Sequence, residues 1–342
     1  MMDSKQKLCI LGTGSWGLTL AWMTASSAEK NNTPLEVTLW GRNADKVAEM
    51  STNRHLTFPL EMTLPDSLLL TSDLAAAIHD ADAVIFVVTA GATRDVAEAV
   101  KATGQLKPDC IVVNASKGIE YPSLKPMASI LKEVLPNQPV AVLSGPTLAK
   151  EVLQGLPTAC VVSAESKEIS KKLQTMLSCE HQFRLYTNTD ILGVEFAGAL
   201  KNVFAIASGF MTAKEFGDNA KAALLTRGLA EMARFCLEMG AEDSTIYGLA
   251  GLGDLLATCN SPLSRNFQVG YRLGKGETLD AILADMKVVA EGVHTARAVY
   301  AMSQKMGLDT PIVELVVNAV SGAPISKEMM IRSLMNRKLK SE

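Results

Sequence analysis

The feature that most limits what this chain can fold into lies near its start. Leu8-Cys9-Ile10-Leu11 runs straight into Gly12-Thr13-Gly14-Ser15-Trp16-Gly17, and a helical pattern follows at once. A strand, a glycine-rich turn and a helix in that order open a βαβ unit. Each glycine has its own task. Gly12 permits the tight turn, Gly14 lets a pyrophosphate approach the backbone, and Gly17 lets the helix pack closely on the strand. The start of the helix offers unpaired N–H groups and partial positive charge to phosphate. A glycine turn with no ligand is the plain alternative, but this context favours a dinucleotide. Trp16 suits either a lid over such a cofactor or ordinary packing.

The pattern that follows extends this unit. Candidate strands at 7–12, 35–40, 83–89, 110–115, 140–144 and 158–163 are short, rich in Val and Ile, and mostly apolar throughout. Strands buried on both faces of a parallel sheet read this way. Helical patterns at 17–28, 44–52, 73–79, 93–103, 123–135 and 166–177 lie between them. The alternation predicts an α/β, Rossmann-like, doubly wound sheet. Beyond 190 the strands stop. Helices are predicted at 191–213, 221–239, 264–274, 279–286, 292–306, 312–321 and 326–334, with Ser264 and Ser326 as N-caps, Pro311 at a start, and Gly240 and Gly307 just past ends. The expected domains are a dinucleotide-binding domain over 1–190 and an all-α substrate domain over 191–342, and 342 residues suit two domains.

Charge excludes one class of partner. Through residue 190 there are 17 Lys and Arg against 20 Asp and Glu, and 16 of each after it. Neither half is a polycation, so nucleic acid is not expected. The six cysteines are at least 19 residues apart, with no metal-ligand spacing, and sit mostly in apolar runs. They read as small buried hydrophobes in a reducing cytoplasm, and no metal is expected. The most apolar region, 191–211, carries Glu195, Lys201 and Asn202, which a lipid-facing helix would not tolerate; stable membrane insertion is not expected. The basic stretch 332–340 reads as a solvated tail.

Polar clusters mark the chemistry. Ligands of open parallel sheets bind beyond the carboxyl ends of the strands. There stand Arg42 after the second strand, Ser116-Lys117-Gly118 after the fourth, and Ser144-Gly145-Pro146-Thr147 after the fifth. NAD sites usually place a carboxylate where Arg42 stands. A guanidinium can fork onto a 2′-phosphate or stack on adenine, so NADP is expected to be accepted alongside NAD. Lys117 suits anion binding, or a surface turn. Lys201 lies in an apolar helix and must be paired or functional, because burying a lone ammonium is costly. Asp254 follows Gly251-Leu252-Gly253, read as flexible. Ser264-Arg265-Asn266 open a helix and suit a phosphate cradle.

At these residues the chain resembles the bacterial NAD(P)-dependent glycerol-3-phosphate dehydrogenase family over nearly its whole length. The motifs, in order, are Gly12 to Gly17, Trp40-Gly41-Arg42, Ser116-Lys117-Gly118-Ile119-Glu120, Ser144-Gly145-Pro146-Thr147-Leu148-Ala149-Lys150-Glu151, Glu195 through Asn202, Gly248 through Asp254, Ser264-Arg265-Asn266 and Val289-Ala290-Glu291-Gly292-Val293. The resemblance implies reversible reduction of dihydroxyacetone phosphate to sn-glycerol 3-phosphate, the backbone of phospholipids. It implies Lys201 as catalytic acid/base, its pKa lowered by burial and by Lys117. It implies Lys117, Gly145, Thr147, Asp254, Ser264, Arg265 and Asn266 around the substrate. Gly12, Gly14, Ser15, Trp16, Gly17, Arg42, Lys117, Ala149, Arg265, Val289 and Glu291 would contact the cofactor, NADP or NAD. A homodimer stays open. Two other readings compete: a related dehydrogenase acting on a 3-hydroxy acid, and a non-catalytic NAD(P)-binding sensor.

Overall fold

The computed structural model describes residues 5–180, 182–286 and 290–335, without the side chains of 332–335. Val289 and the side chains of the basic stretch 332–340 therefore lie outside the described residues. The strands are β1 (Gln6–Leu11), β2 (Leu35–Trp40), β3 (His55–Leu56), β4 (Met62–Thr63), β5 (Leu68–Thr71), β6 (Ala83–Phe86), β7 (Ile111–Asn114), β8 (Val140–Ser144), β9 (Thr158–Ala164) and β10 (Phe183–Asn188). Eight form one sheet in the order β10-β9-β8-β7-β6-β1-β2-β5, and β3 and β4 pair separately.

The strand pattern follows from burial on both faces. Leu8, Ile10, Val37, Leu39, Ile85 and Val113 pack into one apolar cluster, while Cys9, Leu11, Val84, Phe86 and Val112 pack into another. Successive strand residues point to opposite faces, so a strand buried on both sides carries no polar alternation. From β5 to β8 in sheet order every pair is parallel. All their carboxyl ends therefore open on one edge. β1 sits between β2 and β6, and the order reverses there; this is the switch point where ligands of such sheets bind.

Two expectations need correction. The sheet is not parallel throughout: β9 runs antiparallel to β8, and β10 follows β9 in parallel. A parallel return needs a crossover, usually a full helix, and the segment after β8 holds only the five-residue helix Ala149–Leu153. Second, a further strand, β10, stands just before residue 190, where the sequence pattern predicted none. This edge strand buries Phe183 and Leu185 and exposes Arg184, Tyr186 and Thr187, so its sequence is only half apolar.

The chain divides into two compact units, 1–117 with 125–195, and 118–124 with 196–342. This division falls inside the helix Ile191–Ala213, and a short early segment belongs to the second unit. Ile191–Ala213 is long and apolar enough to cross a membrane, yet 89% of its most apolar window is buried within the protein. Phe196, Leu200, Val203 and Phe204 form the second unit's core with residues of its other helices. Three short elements there escaped the sequence reading: Asp243–Ile246, the π-turn Leu249–Gly253, and Asp254–Asn260. The glycine-rich segment read as flexible is therefore helical. A Cβ on Gly251 would lie 2.0 Å from the Ile246 carbonyl oxygen, so glycine there serves close packing.

Candidate active site

In the first unit the glycine turn has the geometry its sequence implies. Gly12 has φ +124, and a Cβ there would meet the Val87 carbonyl oxygen at 2.4 Å. A Cβ on Gly17 would meet the Gly12 carbonyl oxygen at 2.0 Å. Those two glycines let turn, strand and helix close on one another. Gly14 is different: a Cβ there would find nothing within 4 Å. It is the N-cap of the helix Ser15–Lys30, and no side chain caps that helix start. Bare N–H groups beside an open glycine fit a pyrophosphate. The residues present therefore fit the phosphates of a dinucleotide. Ser15 opens this helix, half-buried. Trp16 packs on the core, its ring centroid 6.0 Å from that of Phe183, which favours the packing role.

The other strand ends of this unit place their clusters at the same edge. Arg42 follows β2 and is exposed. After β7, Asn114 bends the chain: its Oδ1 accepts from the Ser116 N–H at 2.9 Å and its Nδ2 donates to the Ser116 carbonyl at 3.0 Å. Lys117 then reaches across to donate to the Gly145 carbonyl at 2.7 Å, tying the β7 and β8 ends together. Thr147 donates to that same oxygen at 3.2 Å, and Ala149 starts the short helix beyond. Asn114 also donates to Glu195 Oε1 at 2.9 Å, and the Ala128 N–H donates to the same oxygen at 2.7 Å. Glu195 is buried, and desolvation pushes its carboxyl up to about 8. Neither role was visible in sequence. Asn114 lies in an apolar strand and Glu195 on a helix far along the chain.

In the second unit Lys201 is 8% exposed and is not alone. Its Nζ donates to Thr258 Oγ1 at 2.7 Å and lies 3.0 Å from Asp254 Oδ1. Thr258 donates in turn to Asp254 Oδ1 at 3.1 Å. Asp254 and Thr258 are 1% and 3% exposed and stand one turn apart on the helix Asp254–Asn260. The carboxylate neutralises the ammonium in a dry setting, and the hydroxyl bridges both. Thr258 went unnoticed because a threonine four residues after an aspartate carries no distinctive signal until its helix is known.

The helix Arg265–Gly274 crosses the Lys201 helix at close range. A Cβ on Gly270 would lie 1.9 Å from the Ile206 carbonyl oxygen, and one on Gly209 2.0 Å from that of Phe267. This crossing fixes the start of the second helix relative to Lys201. Ser264 caps it, its Oγ accepting from the Phe267 N–H at 3.2 Å, and Arg265 stands exposed at the first helical position. Asn266 is buried, and its Oδ1 accepts from the Gly292 N–H at 3.0 Å. That bond ties it to the helix Glu291–Met306, so at least one face of this amide is structural. Glu291 opens that helix, half-buried. Among the described residues no group of three or more His, Cys, Asp or Glu side chains could hold a metal.

A dinucleotide cradle at a sheet switch point and a lysine held dry by a carboxylate and a hydroxyl define a class: a nicotinamide-dependent dehydrogenase with separate nucleotide and helical units. Comparison with known proteins narrows it. Residues 7–170 match the N-terminal family described as NAD-dependent glycerol-3-phosphate dehydrogenase, and residues 190–330 match its C-terminal counterpart. Glycerol-3-phosphate dehydrogenase (NAD(P)+) of Citrifermentans bemidjiense is 41% identical, covering 98% of this chain and 99% of its own. That of Syntrophotalea carbinolica is 42% identical over 97% and 98%. The crystal structure of glycerol-3-phosphate dehydrogenase from Coxiella burnetii superposes with a TM-score of 0.88 at 32% identity, over 97% of this chain and 99% of that one. The chain belongs to the NAD(P)-dependent glycerol-3-phosphate dehydrogenase family and is an oxidoreductase.

Proposed function

We propose that this chain interconverts dihydroxyacetone phosphate and sn-glycerol 3-phosphate in the cytoplasm, supplying glycerol 3-phosphate for phospholipid synthesis. Beyond family membership, the observation that carries this reading is the buried Lys201–Thr258–Asp254 cluster. A lone buried ammonium is costly, and this one is held by two groups on one helix.

The bound nicotinamide cofactor supplies or accepts a hydride. The rest falls to this chain's residues. Gly12, Gly14, Ser15, Trp16 and Gly17 would hold its phosphates and the adjoining atoms, Arg42 the adenosine end, and Lys117, Ala149, Arg265, Val289 and Glu291 further contacts. A ketone that takes up hydride needs a proton on its oxygen. Lys201 Nζ delivers that proton, and in the reverse direction takes it back from the hydroxyl. Thr258 and Asp254 hold Nζ in one position, so no reorganisation is needed as charge develops. Arg265 with the start of its helix suits the substrate phosphate, because a guanidinium forks onto phosphate oxygens. Lys117, Gly145, Thr147, Ser264 and Asn266 complete the proposed substrate shell, with Asp254 acting through Lys201. The proposed assembly, beyond the single chain, is a homodimer, which light scattering would test.

Purified protein mixed with NADPH or NADH and dihydroxyacetone phosphate should lose absorbance at the reduced-nicotinamide band. No loss with either cofactor, while hydroxy acids are turned over, would replace this reading with the hydroxy-acid one. Cofactor binding without turnover of either substrate would leave a sensor.

A further inference from the structure

We propose that Lys46 is a second cofactor-selecting residue, acting with Arg42 on the 2′-phosphate that distinguishes NADP from NAD. The proposal rests on the cofactor reading above and adds a residue that no motif contains.

The tip of β2 lies directly against the glycine turn. The Gly12 N–H donates to the Trp40 carbonyl at 2.9 Å. A Cβ on Gly41 would meet Thr13 Cγ2 at 2.6 Å and Val47 Cγ2 at 2.8 Å, so only glycine lets the two segments touch. Asn43 then caps the helix Ala44–Thr52, its Oδ1 accepting from the Lys46 N–H at 2.9 Å. That cap sets the direction of the first turn and turns Lys46 back over the loop. Its ammonium donates to the Thr13 carbonyl at 3.3 Å. Thr13 lies between Gly12 and Gly14, so Lys46 touches the turn that would cradle the dinucleotide.

In folds of this kind the adenosine ribose lies at the tip of the second strand, where a carboxylate binds its hydroxyls in NAD enzymes. Here the tip carries Arg42, with Lys46 four residues on. Both are exposed, and among the described residues neither forms an ion pair with Asp45 or Glu49, the nearby carboxylates on that helix. An ammonium has three donors. One rests on a carbonyl at a long distance, which leaves two for a phosphate oxygen. A 2′-phosphate brings nearly two negative charges to this spot, and NADH brings none. Lys46 therefore contributes to one cofactor and not to the other.

The test measures dissociation constants of NADPH and NADH by quenching of tryptophan fluorescence, without turnover, for the wild type, Lys46→Ala and Lys46→Arg. 2′,5′-ADP and 5′-AMP serve as displacing probes. Lys46→Ala should weaken NADPH about 10-fold, the low end for a charge-assisted contact because the groups are exposed. NADH should change less than about 2-fold, and Lys46→Arg should keep most of the NADPH affinity. The selectivity of 2′,5′-ADP over 5′-AMP should fall in parallel. Equal weakening of both cofactors would overturn the proposal and leave Lys46 as a brace for the Thr13 carbonyl. An unchanged NADPH affinity would also overturn it. A wild type that binds NADH but not NADPH would overturn the NADP reading itself, an outcome distinct from the other two.

Discussion

Replacing Lys201 by alanine should do two separable things. The first is structural. Asp254 is almost fully buried and would lose the ammonium that lies 3.0 Å from its Oδ1. Removing one partner of a buried ion pair costs about 3–5 kcal/mol, a large part of the roughly 5–15 kcal/mol that holds a domain together. The second is chemical. Without the proton donor, kcat should fall about 10²- to 10⁴-fold or further, while cofactor binding in the first unit persists. Adding Asp254→Asn to Lys201→Ala removes the stranded charge. The double variant should regain much of the lost stability in urea unfolding and none of the lost turnover. If activity returns together with stability, or if Lys201→Ala alone keeps a near-normal kcat, Lys201 is a structural ion pair and the acid/base assignment is wrong.

Further outcomes can be checked in parallel. Arg265→Lys should raise KM for dihydroxyacetone phosphate, because an ammonium lacks the planar fork; a matching loss on an unphosphorylated triol would point away from the phosphate. Arg42→Asp should lower kcat/KM for NADPH by roughly 10- to 150-fold and that for NADH far less, and an unchanged ratio would remove Arg42 from the 2′ position. Gly270→Ala should cost about 1–3 kcal/mol in thermal or urea unfolding, since its methyl group would collide with the Ile206 backbone at 1.9 Å. Glu195 and Glu231 are pushed by burial from the usual 4.5 up to about 8 and about 7. Between pH 4.5 and those values the folded chain holds protons that the unfolded chain has released, so stability should fall as pH rises through this window. Glu195→Gln keeps an acceptor for Asn114 and Ala128 and should flatten the fall by up to about 1.4 kcal/mol per pH unit; an unaltered slope would show that Glu195 does not titrate there.

Much of the first unit was legible in order of sequence. The helices Ala44–Thr52 and Thr93–Thr103 there end where their caps and periodicity say. The turn from Gly12 to Gly17 declares itself because sterics within six residues decide it. Lys201 also stood out, as a charge in an apolar helix. What could not be read was its company. Thr258 lies 57 residues away, on a short helix that the sequence pattern did not reveal. Asn114 and Glu195 are 81 residues apart, and each alone looks like an error in an apolar run. The direction of β9 depended on which neighbour it met, not on its own pattern.

The division has a physical cause. Helix caps, tight turns and strands buried on both faces are decided by groups within about four residues, so the sequence by itself determined a Rossmann-like unit followed by helices, and the residue types its chemistry uses. Desolvation, ion pairing and close helix crossings depend on atoms that only the folded chain brings within a few ångströms. The tertiary structure alone therefore decided that Lys201 is neutralised by Asp254 and bridged by Thr258, that Glu195 and Asn114 brace the turn before Lys117, and that Lys46 lies over Thr13.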